Sequence, residues 1–227
     1  MNKYLKHTFL YPMAIALPLI SANAITLADY GFDGVYTSSD SDTNTIASAT
    51  TFGAGISPKP SVFSGTRVNG TDSVAVQHLT EGTAAEAITA NDYMEFTISL
   101  NAGVEVDYSS LSVYLQRSNS PGSATNVFLR TSLDGYATTV GSELTPTTSF
   151  PGSPYSIDLS GSEFQNIASN ITFRLYAYGG NNTSSSLRFD DLQVTGNVSV
   201  IPEPATAGLL MTGGALALAC LRRKRKA

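Results

Sequence analysis

The sequence predicts an all-β protein: an antiparallel β-sandwich over residues 25–200, followed by a single C-terminal transmembrane helix. Three observations carry this. Short stretches of strictly alternating apolar and polar residues recur along the middle of the chain, separated by clusters of Gly, Pro, Asn and Asp. Helical periodicity is almost absent there, and no strand–helix–strand rhythm appears, which argues against a parallel α/β sheet. The chain ends in an uncharged run, residues 205–221, closed by Arg222, Arg223, Lys224, Arg225 and Lys226.

Residues 1–24 read as a secretory signal peptide. Lys3 and Lys6 make a basic start, residues 8–20 are mostly apolar, and Ala22 and Ala24 frame a small-x-small cleavage pattern. Pro12 and Pro18 disfavour a stable membrane helix in this stretch. Residues 25–34 form a first strand ending at an Asp33-Gly34 turn. Residues 37–51 are dominated by Ser, Thr, Asp and Ala and read as loop, with at most a short strand around 46–52. Residues 73–79 return to strand character, with Val74, Val76 and His78 on one face and Ala75, Gln77 and Leu79 on the other. Residues 81–90 are the one helix-permissive piece, weakened by Gly82.

From Asp92 the alternation sharpens. Met94, Phe96, Ile98 and Leu100 share one face; Tyr93, Glu95, Thr97 and Ser99 share the other, as in a half-buried antiparallel strand. Residues 101–103 turn, and residues 111–117 alternate through Leu111, Val113 and Leu115. Residues 118–125 are a Pro-Gly loop, after which Val127, Leu129 and Thr131 oppose Phe128, Arg130 and Ser132. Residues 145–154 are irregular and 156–159 a short strand, while 161–169 connect by packing Phe164 and Ile167. Residues 171–178 set Ile171, Phe173, Leu175 and Ala177 against Arg174, Tyr176 and Tyr178. In the last strand, apolar residues stand at 187 and 189 and then at 192 and 194, so the phase slips at Asp190-Asp191. With a side-chain period of two, such a slip requires a β-bulge that frees one Asp to face solvent or a metal.

The C-terminal run would span about 26 Å as a helix, near the lower limit for a bilayer core. The basic cluster keeps its end on the cytoplasmic side, so everything upstream lies outside. Pro202-Glu203-Pro204 cannot continue a helix and forms an extended stem at the boundary. Pro202, Glu203 and Pro204, the apolar run of residues 205–221 and the closing basic cluster together resemble the PEP-CTERM sorting signal, residues 201–227 here. The resemblance implies that the chain is a substrate of an exosortase, a membrane-embedded transpeptidase-like processing enzyme. It also implies transient anchoring in the inner membrane and a cell-surface or matrix destination associated with exopolysaccharide and biofilm. A plain C-terminal anchor with a proline stem is the alternative.

The strand segments quoted above, with the paired aspartates of the final strand, also resemble the jelly-roll domain found in front of such signals and carbohydrate-binding modules of that shape. That resemblance implies a structural Ca²⁺ held between an acidic residue near the domain start and one in the final strand, which correspond to Asp33 and Asp191. Capping of a surface bulge is the alternative role for Asp190 and Asp191.

Charge and composition narrow the function. Seven of the 13 basic residues lie in the terminal segments, so six face all 18 acidic residues across residues 25–204, a net charge of −12. Nucleic acid and anionic lipid are disfavoured as partners; divalent cations and polysaccharide are not. The one cysteine, Cys220, lies in the apolar tail, leaving the exported part without disulfide or thiol chemistry. His78 is the one histidine beyond the signal peptide, which is poor material for a zinc site or a serine triad. The expectation is a non-catalytic surface or matrix protein, structural or polysaccharide-associated, with Tyr114, Tyr176 and Tyr178 as stacking faces in the absence of tryptophan. The alternative is a glycosidase using a carboxylate pair from Glu95, Glu105, Asp107 and Asp134, although no spacing singles out a pair.

Overall fold

Alternation gives the longer strands one apolar face, and two sheets bury those faces against each other. The computed structural model describes residues 24–40, 42–59, 73–149 and 151–201. Ala22, the sorting triplet Pro202, Glu203 and Pro204, the apolar run and Arg222, Arg223, Lys224, Arg225 and Lys226 lie outside the described residues. Among the described residues no helix is long and apolar enough to cross a membrane.

The strands are β1 (Ile25–Tyr30), β2 (Thr45–Ala47), β3 (Thr51–Phe52), β4 (Ser57–Lys59), β5 (Val74–Gln77) and β6 (Tyr93–Leu100). They continue with β7 (Val104–Arg117), β8 (Asn126–Thr131), β9 (Val140–Leu144), β10 (Tyr155–Asp158), β11 (Ile171–Tyr178) and β12 (Leu187–Val200). One helix, α1 (Ala84–Ala90), precedes β6. The first sheet runs β10-β7-β12-β5-β4, with β1 alongside the second half of β12; the second runs β2-β6-β11-β8-β9, with β3 also on β6. Every strand pair is antiparallel. The fold is an all-β antiparallel sandwich.

Between the sheets Phe96 stacks on Phe173 at 5.2 Å, Tyr108 meets Phe173 edge-on at 5.7 Å, and Tyr30 tilts against Phe96 at 5.2 Å. Leu111, Val113 and Leu115 of β7 and Phe189, Leu192 and Val194 of β12 complete this buried layer. The phase slip at the paired aspartates is a bulge: Asp190 pairs with Tyr114 but Gln193 with Ser112, and Asp191 takes φ 41°. Asp190 turns inward at 2 % exposure, and Asp191 remains half-exposed.

The structure corrects the sequence reading at four places. β7 begins at Val104, not Leu111, because Val104, Val106 and Tyr108 continue the inward face across a second register shift at Thr195/Gly196. β9 was not expected: its pattern is mostly exposed, since it is a sheet edge and buries only Leu144. The weak helix signal is a complete α1, fixed by a capping box in which Thr83 Oγ1 accepts from the Glu86 amide while Glu86 accepts from the Thr83 amide. Ala75 is buried along with Val74 and Val76, and the left-handed His78 (φ 68°) resets the phase so that Leu79 turns inward.

Candidate functional site

The outer face of the second sheet is built of rungs that run across strands β6, β11 and β8. Register fixes them: Glu95 pairs with Arg174 and Arg174 with Arg130; Tyr93 pairs with Tyr176 and Tyr176 with Phe128; Tyr178 pairs with Asn126. The aromatic rung packs upon itself, Phe128 stacked on Tyr176 at 5.1 Å with Tyr93 edge-on to Tyr176 at 5.2 Å. Phe128 and Tyr176 are buried although they point away from the main core. They form a second, smaller apolar layer.

Above it lies the charged rung. The Arg174 guanidinium sits between the rings of Tyr93 at 4.2 Å and Tyr136 at 3.9 Å, and its Nε donates to Glu95 Oε2 at 2.8 Å. Burial opposes the arginine's charge, yet the Glu95 bond holds its pKa above the ordinary value. Arg130 lies 5.6 Å over Phe128 and donates from Nη1 to the Tyr136 carbonyl at 2.6 Å. Tyr136 is placed by a left-handed backbone (φ 63°) directly after Gly135 (φ 68°), a turn that returns the ring over the sheet. At the other end Tyr178 donates to Glu143 Oε2 at 2.6 Å, and this bond pushes its hydroxyl up to about 12. Half-exposed rings beside fixed polar groups are the chemistry of sugar contact: an apolar face for the ring and donors and acceptors for its hydroxyls.

This alters the expectation for the three tyrosines. Tyr176 is 2 % exposed, covered by its own rung, and Tyr114 belongs to the first sheet, so the three make no common platform. The residues that do share the face with Tyr178 are Tyr93, Tyr136, Arg130 and Arg174. The signal for Tyr93, Arg130, Arg174 and Tyr178 was in the sequence, as the polar phase of three alternating strands, but which phases meet is a matter of pairing.

A second feature lies at the β12 bulge on the first sheet. Asp33 and Asp191 line one groove of about 470 Å³, together with Asp29, Tyr114 and Gln193. The Asp29 carboxylate is occupied there, accepting from Ser39 Oγ at 3.0 Å and Gln193 Nε2 at 3.1 Å. The groove offers oxygen donors, which suits a hard cation such as Ca²⁺, and carbonyl or water oxygens would have to complete its six to eight ligands. Among the described residues, no group of three or more His, Cys, Asp or Glu has the geometry to hold a metal.

The carboxylates considered for hydrolysis are dispersed. Glu95 holds Arg174 on the second sheet. Glu105 and Asp107 lie on β7 of the first, where Asp107 accepts from the Asn166 amide at 2.6 Å. Asp134 caps its own turn, accepting from the amides of Ala137 and Thr138. Asp92 was not singled out from sequence. It is fully buried between α1 and β6, and no N–H or O–H donor outside a carboxyl reaches either oxygen. Burial, reinforced by the adjacent Glu81, pushes its carboxyl up to about 8, which favours the protonated form at neutral pH.

No family model and no curated protein matches the sequence. Among solved structures, the N-terminal CBM22-1-CBM22-2 tandem domain from Paenibacillus barcinonensis Xyn10C is similar at 13% identity and TM-score 0.44, covering 82% of this chain and 48% of that one. The CBM22-1-GH10 modules of Clostridium thermocellum xylanase 10B give 13% and 0.40, covering 75% and 28%. The K1 cleaved adhesin domain of Lys-gingipain from Porphyromonas gingivalis gives 12% and 0.40, covering 78% and 99%. The chain thus spans about half the length of the first and little over a quarter of the second. At these scores the likenesses assign neither ligand nor role.

Proposed function

We propose that this chain is an exported, non-catalytic protein of the cell surface or extracellular matrix, which associates with polysaccharide through the outer face of its second sheet. The observation that carries this reading is the set of rungs on that face, where half-exposed Tyr93, Tyr136 and Tyr178 stand beside Arg130, Arg174 and Glu143. Such rings can cover a pyranose while the flanking charged groups hydrogen-bond its hydroxyls. Export and delivery rest on the sequence: the signal peptide at residues 1–24 and the sorting signal at 201–227, acted on by an exosortase-type enzyme at the membrane. Asp33 and Asp191 would hold a Ca²⁺ that pins the start of the domain to its last strand.

Incubating the full-length protein with the native matrix polysaccharide tests the reading. Retention without cleavage supports it, new reducing ends favour the glycosidase alternative, and neither result leaves a purely structural role. The mass of the mature protein from cells with and without the sorting enzyme tests the tail. An identical mass retaining residues 222–226 in both would reduce it to an ordinary anchor.

A further inference from the structure

The charged rung contains more cation than anion. Arg174 and Arg130 are direct cross-strand neighbours, an arrangement in which like charges repel. Glu95, on the far side of Arg174, neutralises one of them. Arg130 has no carboxylate partner among the described residues: Nη1 is bound to a carbonyl, and Nε is buried without an acceptor. The other acids near this face are engaged. Glu143, on the neighbouring strand β9, accepts from Tyr178 and Asn126; Asp134 accepts from its own turn. In a domain of net charge −12, this half-buried guanidinium, held by a carbonyl and an aromatic ring among the described residues, stands beside the half-exposed Tyr136.

We propose that Arg130 binds a carboxylate of the glycan, so that the ligand is a polysaccharide bearing uronate or similar acidic substituents at intervals along a mainly neutral chain. This rests on the glycan-binding reading and narrows it. A dense polyanion is disfavoured, because the long-range field of the acidic domain repels it. An isolated carboxylate is reached at short range, where a charge-assisted bond to Arg130 outweighs that field. The neighbouring sugar then lies against Tyr136, whose carbonyl already fixes Arg130.

The test is affinity electrophoresis of the full-length protein in detergent against xanthan and glucuronoxylan, each beside its carboxyl-reduced counterpart, and against the native matrix polysaccharide before and after the same reduction. Carboxyl reduction is expected to weaken binding about tenfold or more. Arg130→Gln should lose a similar factor on the acidic polymer and nothing on the reduced one, while Arg130→Lys retains part of the difference. Equal binding of acidic and reduced polymers overturns the carboxylate inference and leaves glycan binding standing. Binding to none of the polymers, the native matrix included, overturns both. The polymer comparison uses the unaltered protein, so poor folding of a variant cannot obscure the result.

Discussion

The outer faces of the two sheets handle polar groups in opposite ways. On the second sheet the register is unbroken across β6, β11 and β8, so like residues line up in rungs, and the rungs satisfy one another through stacking and the Glu95–Arg174 pair. On the first sheet β12 is interrupted at Asp190-Asp191, and the break re-aims a carboxylate into a groove that also contains Asp33. Regular pairing builds a surface; a local fault builds a point.

The largest effects should come from asking whether the outer rung packs like a core. Phe173→Ala, between the sheets, should cost about 3–5 kcal/mol in denaturant unfolding. Phe128→Ala, on the outer face but equally buried, should cost more than about 2 kcal/mol by the same mechanism. A loss below about 1 kcal/mol would mean that the aromatic rung is only a covered surface. Next comes the charged rung. Glu95→Gln leaves two arginines side by side; since Arg174 and Glu95 are 23% and 27% exposed, solvent limits the loss to about 1 kcal/mol, and it should shrink as salt is raised.

The groove gives a smaller effect whose sign depends on the metal. Asp191 adopts φ 41°, a region natural to glycine, so Asp191→Gly should stabilise by up to about 1 kcal/mol in chelator. The same change should abolish a calcium-dependent rise in melting temperature. Equal melting of the unaltered protein with calcium and with chelator would remove the calcium proposal.

An effect of a different kind is the pH slope from Asp92. Its folded carboxyl titrates at about 8, against about 4 in an unfolded chain. Between those values the folded state holds a proton that the unfolded state has released, so this group makes stability fall as pH rises from about 4 to about 8. Glu81, shifted downward chiefly by the hydrogen bond from Asp92, contributes in the opposite sense, losing its stabilising effect as pH falls through its lowered pKa. Asp92→Asn should flatten the fall in melting temperature between pH 5 and 8, with pH values chosen to bracket the shift. An unchanged slope would show that Asp92 is ionised in the folded protein.

Much of the sandwich was legible because alternation is a local property. The faces of β6, β8 and β11, the turn at Gly103 and the bulge at Asp190-Asp191 all follow from residue phase alone. The edge strand β9 was not legible, because an edge buries little and its composition resembles a loop. Likewise α1 is specified by Thr83 and Glu86 three residues apart, a signal that Gly82 beside it obscured. The candidate site divides along the same line. That Asp33 and Asp191 would meet was an expectation from resemblance, and their common groove comes from β1 lying along β12. That Arg130 would oppose Arg174, or that Tyr136 would fold back over it, no local pattern could reveal.

By itself the sequence determined the phase of the alternating strands and the acidity of residues 25–204, since each depends only on the residues along the chain. Only the tertiary structure decided which polar faces became rungs, which tyrosines were covered and that Arg130 faces no carboxylate among the described residues. Those outcomes depend on strand order and register, which bring together residues 40 to 80 positions apart, such as Arg174 with Arg130 and with Glu95.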